Sequence, residues 1–465
     1  MSRVLEARNK VFDTHVPVII VGAGACGLVS ALKAHDCGAE VLVLEQDETP
    51  SGSTALSSGF VPAAGTRFQT ARGISDSPGQ FARDLQYKSN SQACERLVHL
   101  AARSCGPALE WLADDHGLEW TVIEDFLYPG HSCHRMHAVP EKTGAAMMGR
   151  LLNAVEAASI PVATGARVSA LFAEGRNVRG VEVSRSDGQT ETIGCDAIVL
   201  ACCGYGGNAE LVSRHVPEMR EALFFGHAGN RGDAYLWTKA LGAAHRDMTG
   251  YQGHGSVATP QGVLITWALM MEGGIQVNEN GQRFSDETRG YSEQASDVLN
   301  QPGGIVWDVY DTRIHELGLG FEDYRQAVET GAIRSGDDLA GLCQVTNLPE
   351  EEMAATLEAI EDARLGRAAD MFGREFSKTT PLRPPYFAVK VTGAMFHTQG
   401  GAMIDETARV VDEQGKPLGN ICAGGGAACG VSGPEASGYL SGNGLLTAIA
   451  FGSIAGQTAA KMTAN

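Results

Sequence analysis

Three glycines near the start of the chain have the spacing of a nucleotide-binding turn. Gly22, Gly24 and Gly27 form the pattern GxGxxG, between the apolar run PVIIV and the amphipathic run LVSALKAHDCG. A continuous apolar run is typical of a buried parallel strand, and the second run has the periodicity of a helix. Glycines in such a unit let a pyrophosphate approach the helix N-terminus, whose N–H groups attract anions. The pattern therefore predicts a bound dinucleotide.

An acidic residue at the end of the next strand supports the dinucleotide interpretation. Glu45 ends the apolar run EVLVL and lies 18 residues after Gly27. A carboxylate at about this distance accepts hydrogen bonds from ribose hydroxyls. Its negative charge also disfavours a cofactor with a 2′-phosphate.

Two further segments favour FAD over NAD. The loop PSGSTALSSG (50–59) offers small residues and hydroxyls just beyond the ribose-binding strand. Much later, GNICAGGGAACG (419–430) is a strand that breaks into glycines, and LSGNGLLTAIAFGSIAG follows as a glycine-led helix. A cofactor contacted by both ends of the chain is long, as FAD is.

Seven motifs together resemble the flavoprotein superfamily of fumarate reductase and succinate dehydrogenase, which includes the 3-ketosteroid Δ1-dehydrogenases. The resemblance runs through nearly the whole chain. In order, the motifs are VGAGACG, GSTALSSG, LACCGYGGN (200–208), RGDAYLWTKALGA (231–243), NENGQRF (278–284), HTQGGAMID (397–405) and SGNGLLTAIAFG (441–452). Succinate dehydrogenases carry a histidine in the 50–59 loop that bonds covalently to the flavin. This chain has none there, so we expect non-covalent FAD.

The resemblance implies an α/β fold with a Rossmann-like, discontinuous FAD-binding domain and an inserted α+β cap or substrate domain. The expected boundaries are 1–247 and 396–465 for the FAD-binding domain and 248–395 for the cap. Acidic segments with helical periodicity, GLGFEDYRQAVETGAIRSGDDLAGLC and LPEEEMAATLEAIEDARLG, fall in the cap. The residues expected to bind FAD are Gly22, Gly24, Ala25, Gly27, Glu45, Gln46, Ser53, Thr54, Ser57, Ser58, Gly59, Val168, Gly204, Asp233, Gly424, Gly442 and Leu445.

The charged residues that fumarate reductases use to bind a dicarboxylate are replaced in this chain. Tyr291, in ENGQRFSDETRGYSEQAS, stands at the place of their acid–base arginine. Trp267 and Met270 stand where they have a glutamate and an arginine, and Tyr439 where they have another arginine. A dicarboxylate would enter such a site without its counter-charges, so we do not expect a fumarate or succinate reaction.

The two tyrosines resemble those of the ketosteroid dehydrogenases instead. There, a tyrosine in the first segment takes a proton from the carbon next to a ketone. A second tyrosine, with a glycine N–H, binds the ketone oxygen. Tyr291 matches the first, and Tyr439 with Gly442 the second, although this chain lacks the proline of the Tyr-Pro-Gly-Ala-Gly turn and shifts the tyrosine by about one residue.

Histidines complete the predicted site. His397 begins HTQGG, which in the superfamily lies against flavin and substrate, and His254 in YQGHGS matches a substrate-side histidine. A tyrosine has a pKa of about 10, so Tyr291 needs a neighbour that favours its ionised form. Arg289, His254 and His397 are the candidates.

These residues predict an FAD-dependent desaturase. It would form a C=C bond next to the carbonyl of a cyclic ketone-type substrate, with the proton going to tyrosine and the hydride to flavin N5. A steroid and a smaller ring, such as an oxo-cyclohexane acid, both remain open as substrates, and so do quinone, oxygen or a carrier protein as electron acceptors. Two other functions remain open, an ene-reductase of the fumarate reductase type and a flavoprotein subunit of an electron-transfer complex.

Composition excludes several other classes of protein. The net charge is −19 with no basic stripe, which argues against nucleic-acid binding. No run reaches 18 apolar residues, and the N-terminus lacks the apolar core of a signal peptide. The 11 cysteines include no CxxC pair and predict reduced thiols in a cytoplasmic protein. His131, His134 and His137 have a metal-like spacing, but they lie in a chain with the motifs of a flavoprotein, so no metal is predicted.

Overall fold

The computed structural model describes residues 3–464, which form two compact units. The first unit runs to Val216, resumes over Gly226–Tyr251 and continues from His397, and the second comprises Pro217–Phe225 and Gln252–Phe396. The sequence predicts an insertion at 248–395 alone, so the assignment of Pro217–Phe225 to the second unit differs from that expectation. Within this segment Leu223 and Phe224 pair in parallel with Ala394 and Met395. No local pattern signals so distant a pairing.

A six-stranded sheet forms the centre of the first unit. Its strands, in spatial order, are Arg409–Val411, Pro417–Ala423, Ala197–Leu200, Val18–Val21, Val41–Leu44 and Val162–Ala163. All neighbouring strands are parallel except the first pair. Strands buried on both faces need apolar residues throughout, which explains why PVIIV and EVLVL predict two of them correctly.

The remaining strands of the first unit form three smaller sheets. They are Arg3–Glu6, Ala166–Glu174, Asn177–Arg185, Thr190–Gly194 and Thr14–His15 in one; Val61–Pro62, Met136–Ala138 and Thr121–Val122 in the second; and His245–Arg246 with Gly401–Ala402 in the third. The helices are Ala25–Asp36, Gly52–Ala55, Arg67–Thr70, Pro78–Lys88, Glu95–His116, Gly144–Ala157, Ala209–His215, Asp233–Ala240 and Asn443–Thr463.

Two helices from opposite ends of the chain pack closely in the first unit. We call Ala25–Asp36 the nucleotide helix and Asn443–Thr463 the C-terminal helix. The Ser30 hydroxyl of the first donates to the Gly452 carbonyl of the second at 2.9 Å. A Cβ atom at Gly456 would lie 2.2 Å from the Ser30 carbonyl oxygen, so only glycine permits this approach. The packing joins the start and the end of the chain beside the predicted nucleotide turn.

The second unit is built on a seven-stranded sheet. Its strands are Val263–Leu264, Tyr251–Ala258, Tyr386–Thr398, Ile305–Asp311 and Ile275–Val277, with Leu223–Phe224 and Ile333–Gly336 also paired to the long strand Tyr386–Thr398. Its helices are Ala268–Met271, Tyr291–Leu299, Thr312–Gly318, Glu322–Glu329, Leu339–Thr346 and Glu350–Arg364. The acidic segments are helical as expected, except that Ile333–Gly336 is a strand. Its pairing with Tyr386–Val389 overrides the helical pattern around it.

Two helices exceed 20 residues, Glu95–His116 and Asn443–Thr463. Neither they nor any other helix of residues 3–464 combines the length and the apolar composition needed to cross a bilayer.

Candidate active site

The glycine turn has the geometry that a phosphate-binding turn requires. Gly22 has φ +102°, and a Cβ there would lie 2.7 Å from the Ala201 carbonyl oxygen. A Cβ at Gly27 would lie 1.8 Å from the Gly22 carbonyl oxygen. At Gly24, by contrast, an added Cβ would meet only the Thr54 hydroxyl, at 3.6 Å. The space beside Gly24 is therefore open, at the N-terminus of a helix whose N-cap residue, Gly24, has no side chain to cap it.

The Glu45 carboxylate lies directly against this turn. It is 8% exposed, and its Oε2 accepts the Ala23 backbone N–H at 2.8 Å. Its Oε1 accepts the Asp47 backbone N–H at 3.0 Å. Each carboxylate oxygen accepts more than one hydrogen bond, so Glu45 can hold the turn and still bind ribose hydroxyls.

The 50–59 loop is bonded to the same turn and to a second loop. Thr54 Oγ1 accepts the Ala25 backbone N–H at 3.1 Å. Ser53 Oγ accepts the Asn230 side-chain amide at 2.9 Å and the His227 backbone N–H at 3.3 Å. Asn230 and His227 are not identified from the sequence, although they lie one and four positions before the RGDAYLWTKALGA motif.

Several other residues expected to bind FAD have structural roles in the first unit. A Cβ at Gly204 would lie 2.1 Å from Thr398 Oγ1, one at Gly424 2.7 Å from Cys26 Sγ, and one at Gly442 2.5 Å from Pro62 Cδ. In the 46–59 segment, Gln46 is partly buried, the Ser57 hydroxyl donates to the Thr54 carbonyl at 2.7 Å, Ser58 is exposed, and Gly59 has φ +71°. Val168 lies in a buried strand, Asp233 is the first residue of its helix, and Leu445 lies on the C-terminal helix. Their contacts with FAD stay predictions.

His397 is bound by a chain of polar side chains in the first unit. The amide Nε2 of Gln399 lies 2.8 Å from His397 Nδ1, and Gln399 Oε1 accepts the Ser432 hydroxyl at 2.7 Å. Ser432 in turn accepts the Asn443 side-chain amide at 2.9 Å. Burial lowers the pKa of His397 to about 4. The ring of Tyr439 lies edge-on to it, with 5.5 Å between centroids.

Two of the loop histidines with metal-like spacing have structural hydrogen bonds, and one of them supports the polypeptide next to Tyr439. The ring of His131 is bonded through Nε2 to the Ser441 carbonyl at 3.0 Å, and His137 is bonded through Nε2 to the Thr66 hydroxyl at 2.8 Å. Burial lowers the pKa of each to about 4. Within residues 3–464, no group of histidines, cysteines and carboxylates is arranged to hold a metal ion.

Tyr291 belongs to an aromatic cluster in the second unit. It is the first residue of its helix, after Gly290 at φ +142°. Its ring stacks on His254, with 4.9 Å between centroids and 23° between planes. His254 also stacks on Phe396 and meets Trp267 edge-on. These four residues are the aromatic cluster referred to below.

His254 is a neutral imidazole within this cluster. Its Nδ1 accepts the Ser256 backbone N–H at 3.1 Å, so the ring proton lies on Nε2. Burial lowers its pKa to about 3. Since His397 is neutral as well, neither imidazole supplies the positive charge suggested for ionising Tyr291. Of the three candidates only Arg289 is charged, and it forms an ion pair with Asp297.

A buried ion-pair group anchors the segment that leads into Tyr291. Glu287 is completely buried and accepts hydrogen bonds from the guanidinium groups of Arg283 at 2.8 Å and Arg374 at 2.8 Å. Its backbone carbonyl accepts the Trp267 indole N–H at 3.2 Å. Arg374 cannot be linked to Tyr291 from the sequence, because 83 positions separate them.

Asp308 is a buried acid next to the His254 strand. It accepts hydrogen bonds from the Ser256 hydroxyl and from the Gln276 amide at 2.7 Å. Gln276 Oε1 accepts in turn from Gln294, on the helix of Tyr291, at 2.9 Å. Burial raises the pKa of Asp308 to about 7, with a contribution from the charge of Glu287.

Asp308→Asn is expected to change how stability depends on pH. The folded protein holds the Asp308 proton more tightly than the unfolded chain, whose aspartate has a pKa of 3.8. The free energy of unfolding contributed by Asp308 therefore falls as the pH rises from about 4 to about 7, by at most about 4 kcal/mol, and is constant above. Denaturant unfolding of both proteins between pH 4 and 8 measures this, and a pH-independent difference would contradict it.

The first unit has the construction of a dinucleotide-binding flavoprotein: a mostly parallel sheet, an open glycine turn at a helix N-terminus and an acid beside it. A family model described as the FAD binding domain matches residues 17–445. The chain belongs to this family, in the flavoprotein superfamily of fumarate reductase and succinate dehydrogenase, and is an FAD-dependent oxidoreductase. The fold class, the superfamily and the cofactor expected from the sequence are thus confirmed.

Relatives with known names include both reductases and a dehydrogenase. The chain is 28% identical over 449 residues to the probable fumarate reductase Ifc3 of Shewanella frigidimarina, covering 96% of this chain and 74% of that protein. It is 23% identical over 514 residues to a 4-oxocyclohexanecarboxylate 2-dehydrogenase of Sinomonas cyclohexanicum, covering 88% and 87%.

Solved structures confirm the fold. The open conformation of a flavocytochrome c3 fumarate reductase superposes with a TM-score of 0.84 at 27% identity, covering 97% of this chain and 79% of that one. The 3-ketosteroid Δ1-dehydrogenase of Sterolibacterium denitrificans superposes with a TM-score of 0.80 at 19% identity, covering 96% and 100%. At that identity the likeness to the steroid enzyme is one of fold alone.

The residues beside the open turn fit FAD. Glycine at position 24 leaves room for a pyrophosphate and the N–H groups of the nucleotide helix attract its charge. We expect Glu45 to accept hydrogen bonds from the ribose hydroxyls. We expect acid precipitation of the purified protein to release all flavin into the supernatant, since no histidine occurs in the 50–59 loop. Absorbance of supernatant and pellet measures this, and flavin retained in the pellet would contradict non-covalent binding.

Glu45→Gln is expected to weaken FAD binding. A hydrogen bond to a charged group contributes roughly 1.5–3 kcal/mol, which corresponds to about 10–150-fold in Kd. Titration of deflavinated protein with FAD, followed by flavin fluorescence, measures the change. Glu40→Gln, at an exposed position five residues earlier, is the matched control. Equal affinities of the two variants would show that Glu45 does not bind the ribose.

Proposed function

We propose that the protein is an FAD-dependent desaturase that forms a C=C bond next to the carbonyl of a cyclic ketone-type substrate. The observation that carries the proposal is the aromatic cluster: Tyr291 stacks on a neutral histidine, His254, with Trp267 and Phe396 around it. This surrounding suits the ketone end of a ring better than a second carboxylate, because an apolar site without counter-charges disfavours a carboxylate at the reacting carbons.

The interior positions of Trp267 and Met270 support the same substrate class. They are 6% and 1% exposed and pack in the apolar core of the second unit. In the superfamily these positions carry a glutamate and an arginine when a dicarboxylate is bound. Here the nearby guanidinium groups of Arg283 and Arg374 are bonded to Glu287 and do not offer a free positive charge.

The proposed chemistry divides between a proton and a hydride. When bound, the flavin accepts the hydride. Tyr291 takes the proton from the carbon next to the carbonyl. The Tyr439 hydroxyl donates to the carbonyl oxygen and stabilises the enolate-like charge that develops there, as an oxyanion hole does, and the Gly442 N–H and His397 are the further donors that we assign to it.

Reduction of an activated C=C bond is the second candidate, and the similarity to the probable fumarate reductase Ifc3 over 96% of this chain favours it. In that direction Tyr291 donates the proton. The neutral state of both histidines and the replaced charges argue for a carbonyl rather than a carboxylate as the activating group in either direction.

A matched pair of rings tests the proposal. We expect 4-oxocyclohexanecarboxylate to be oxidised in the presence of an artificial electron acceptor, and cyclohexanecarboxylate, the same ring without the ketone, to be inert. A steroid 3-ketone distinguishes large from small rings, and fumarate with a reduced dye tests the reverse reaction. Fumarate reduction faster than the oxidation of any ketone would overturn the proposal in favour of a reductase.

The physiological partners belong to the proposal as well. We propose a quinone, oxygen or a carrier protein as the electron acceptor. Co-purification of a second protein with this chain would test the alternative role as a flavoprotein subunit of an electron-transfer complex. The eleven cysteines are free thiols, which supports a reducing compartment such as the cytoplasm.

A further inference from the structure

A chain of hydrogen bonds, in which each group donates to the next, leads to His397. Asn443, 0% exposed, donates through Nδ2 to the Ser432 hydroxyl, and Ser432 donates its single proton to Gln399 Oε1. The carbonyl of the Gln399 amide is thereby used, so its N–H points to His397 Nδ1, at 2.8 Å. Ser432 and Gln399 are 1% and 5% exposed, so water does not compete for these bonds.

This arrangement determines where His397 carries its proton. His397 Nδ1 lies 2.8 Å from the Gln399 amide nitrogen and 3.4 Å from the Thr398 carbonyl oxygen. The shorter contact is to a donor, so we take Nδ1 as the acceptor and place the proton of the neutral ring on Nε2. The Nε2 edge faces Gly444 in the first turn of the C-terminal helix, where a Cβ would lie 3.0 Å from Nε2. The positive end of a helix dipole disfavours a charged imidazolium at this place, in keeping with the pKa of about 4. The neighbours of His397 described above are uncharged: Gln399, Thr398, Gly444 and Tyr439.

We propose that Gln399 is a specificity-determining residue, which holds His397 as a neutral Nε2–H donor for the carbonyl oxygen of the substrate. This inference rests on the proposed function and deepens it. A neutral donor recognises a ketone, whereas an imidazolium would recognise a carboxylate. Gln399 contacts His397 and acts through it, so it is a positioning residue.

Gln399→Glu is the variant that reverses the polarity of this chain. A carboxylate has no N–H to donate, so it accepts a hydrogen bond from His397 Nδ1–H and favours the opposite tautomer, which has no Nε2–H to donate. Ser432 can still donate to it. Gln399→Met keeps the length of the side chain and removes both hydrogen bonds, which separates loss of positioning from reversal of polarity.

The first readout is the tautomer of His397 in the holoenzyme, measured by long-range ¹⁵N–¹H correlation at pH 7. The signals are assigned by their loss in His397→Gln. We expect the Nε2–H form in the wild type and the Nδ1–H form in Gln399→Glu. An Nδ1–H or doubly protonated His397 in the wild type would overturn the role of Gln399, whatever the substrate is.

The second readout is the choice of substrate. In Gln399→Glu we expect KM for the cyclic ketone to rise by about tenfold or more, the effect of losing one well-placed hydrogen bond, with a smaller change in kcat. Gln399→Met should raise KM less. An unchanged KM in Gln399→Glu would overturn the specificity role. If the wild type has the Nε2–H tautomer but oxidises no ketone, the tautomer assignment is supported and the proposed function is the part that fails.

Discussion

Tyr291→Phe is expected to lower turnover by about 10²–10⁴-fold while the flavin spectrum stays unchanged. General acid–base catalysis contributes about this much, and the substitution removes only the hydroxyl that would take the proton. Phenylalanine preserves the ring that stacks on His254, so the aromatic cluster and the start of the helix Tyr291–Leu299 should persist. Steady-state rates with the preferred cyclic ketone measure the effect.

Exchange of the substrate's α-hydrogen with solvent isolates this proton transfer from the hydride step. Tyr291→Phe should abolish the exchange. Tyr87→Phe, at a tyrosine that is 83% exposed, is the control and should leave rate and exchange unchanged. A near wild-type rate in Tyr291→Phe would mean that the proton goes to another group, and His254 or His397 would then be the candidates.

Tyr439→Phe should slow turnover by about 10²–10³-fold, the cost of removing one donor from an oxyanion hole. It should also weaken binding of ketone ligands, because the neutral carbonyl already uses that donor. Tyr439 is 6% exposed and its ring meets His397 edge-on. Phenylalanine preserves this contact, so the loss should reflect the hydroxyl alone. Flavin difference spectra with a ketone ligand give the dissociation constant.

The exchange experiment separates the roles of the two tyrosines. Exchange should be slowed but detectable in Tyr439→Phe, since the base is still present. A variant that binds ketones and turns them over like the wild type would show that the oxygen is held by other donors, of which the Gly442 N–H and His397 are the first to test.

The sequence predicts the nucleotide-binding part of this protein well because the relevant interactions are local. A buried parallel strand needs a continuous apolar run, and the close approach of Gly27 to Gly22 excludes side chains. Both constraints act within about 30 residues, so they are visible in the sequence as the run PVIIV, the GxGxxG pattern and Glu45. The segment Pro217–Phe225 shows the opposite case, since its membership in the second unit depends on pairing with Ala394 and Met395.

The protonation of the candidate active site could not be predicted from the sequence. The types of His254 and His397 suggest positive charges that could ionise a tyrosine, but burial makes both neutral. Burial and hydrogen-bond direction depend on residues that are distant along the chain, such as Ser432 and Asn443 for His397.

The sequence by itself determined the cofactor class, the superfamily and the replacement of arginine by tyrosine at two positions, because these depend on residue identity and short spacing. Only the tertiary structure decided which groups are charged. Electrostatic free energies depend on distance and on exclusion of water, and both quantities come into existence only when distant segments pack together. The lowered pKa of His397 and the raised pKa of Asp308 follow from that packing.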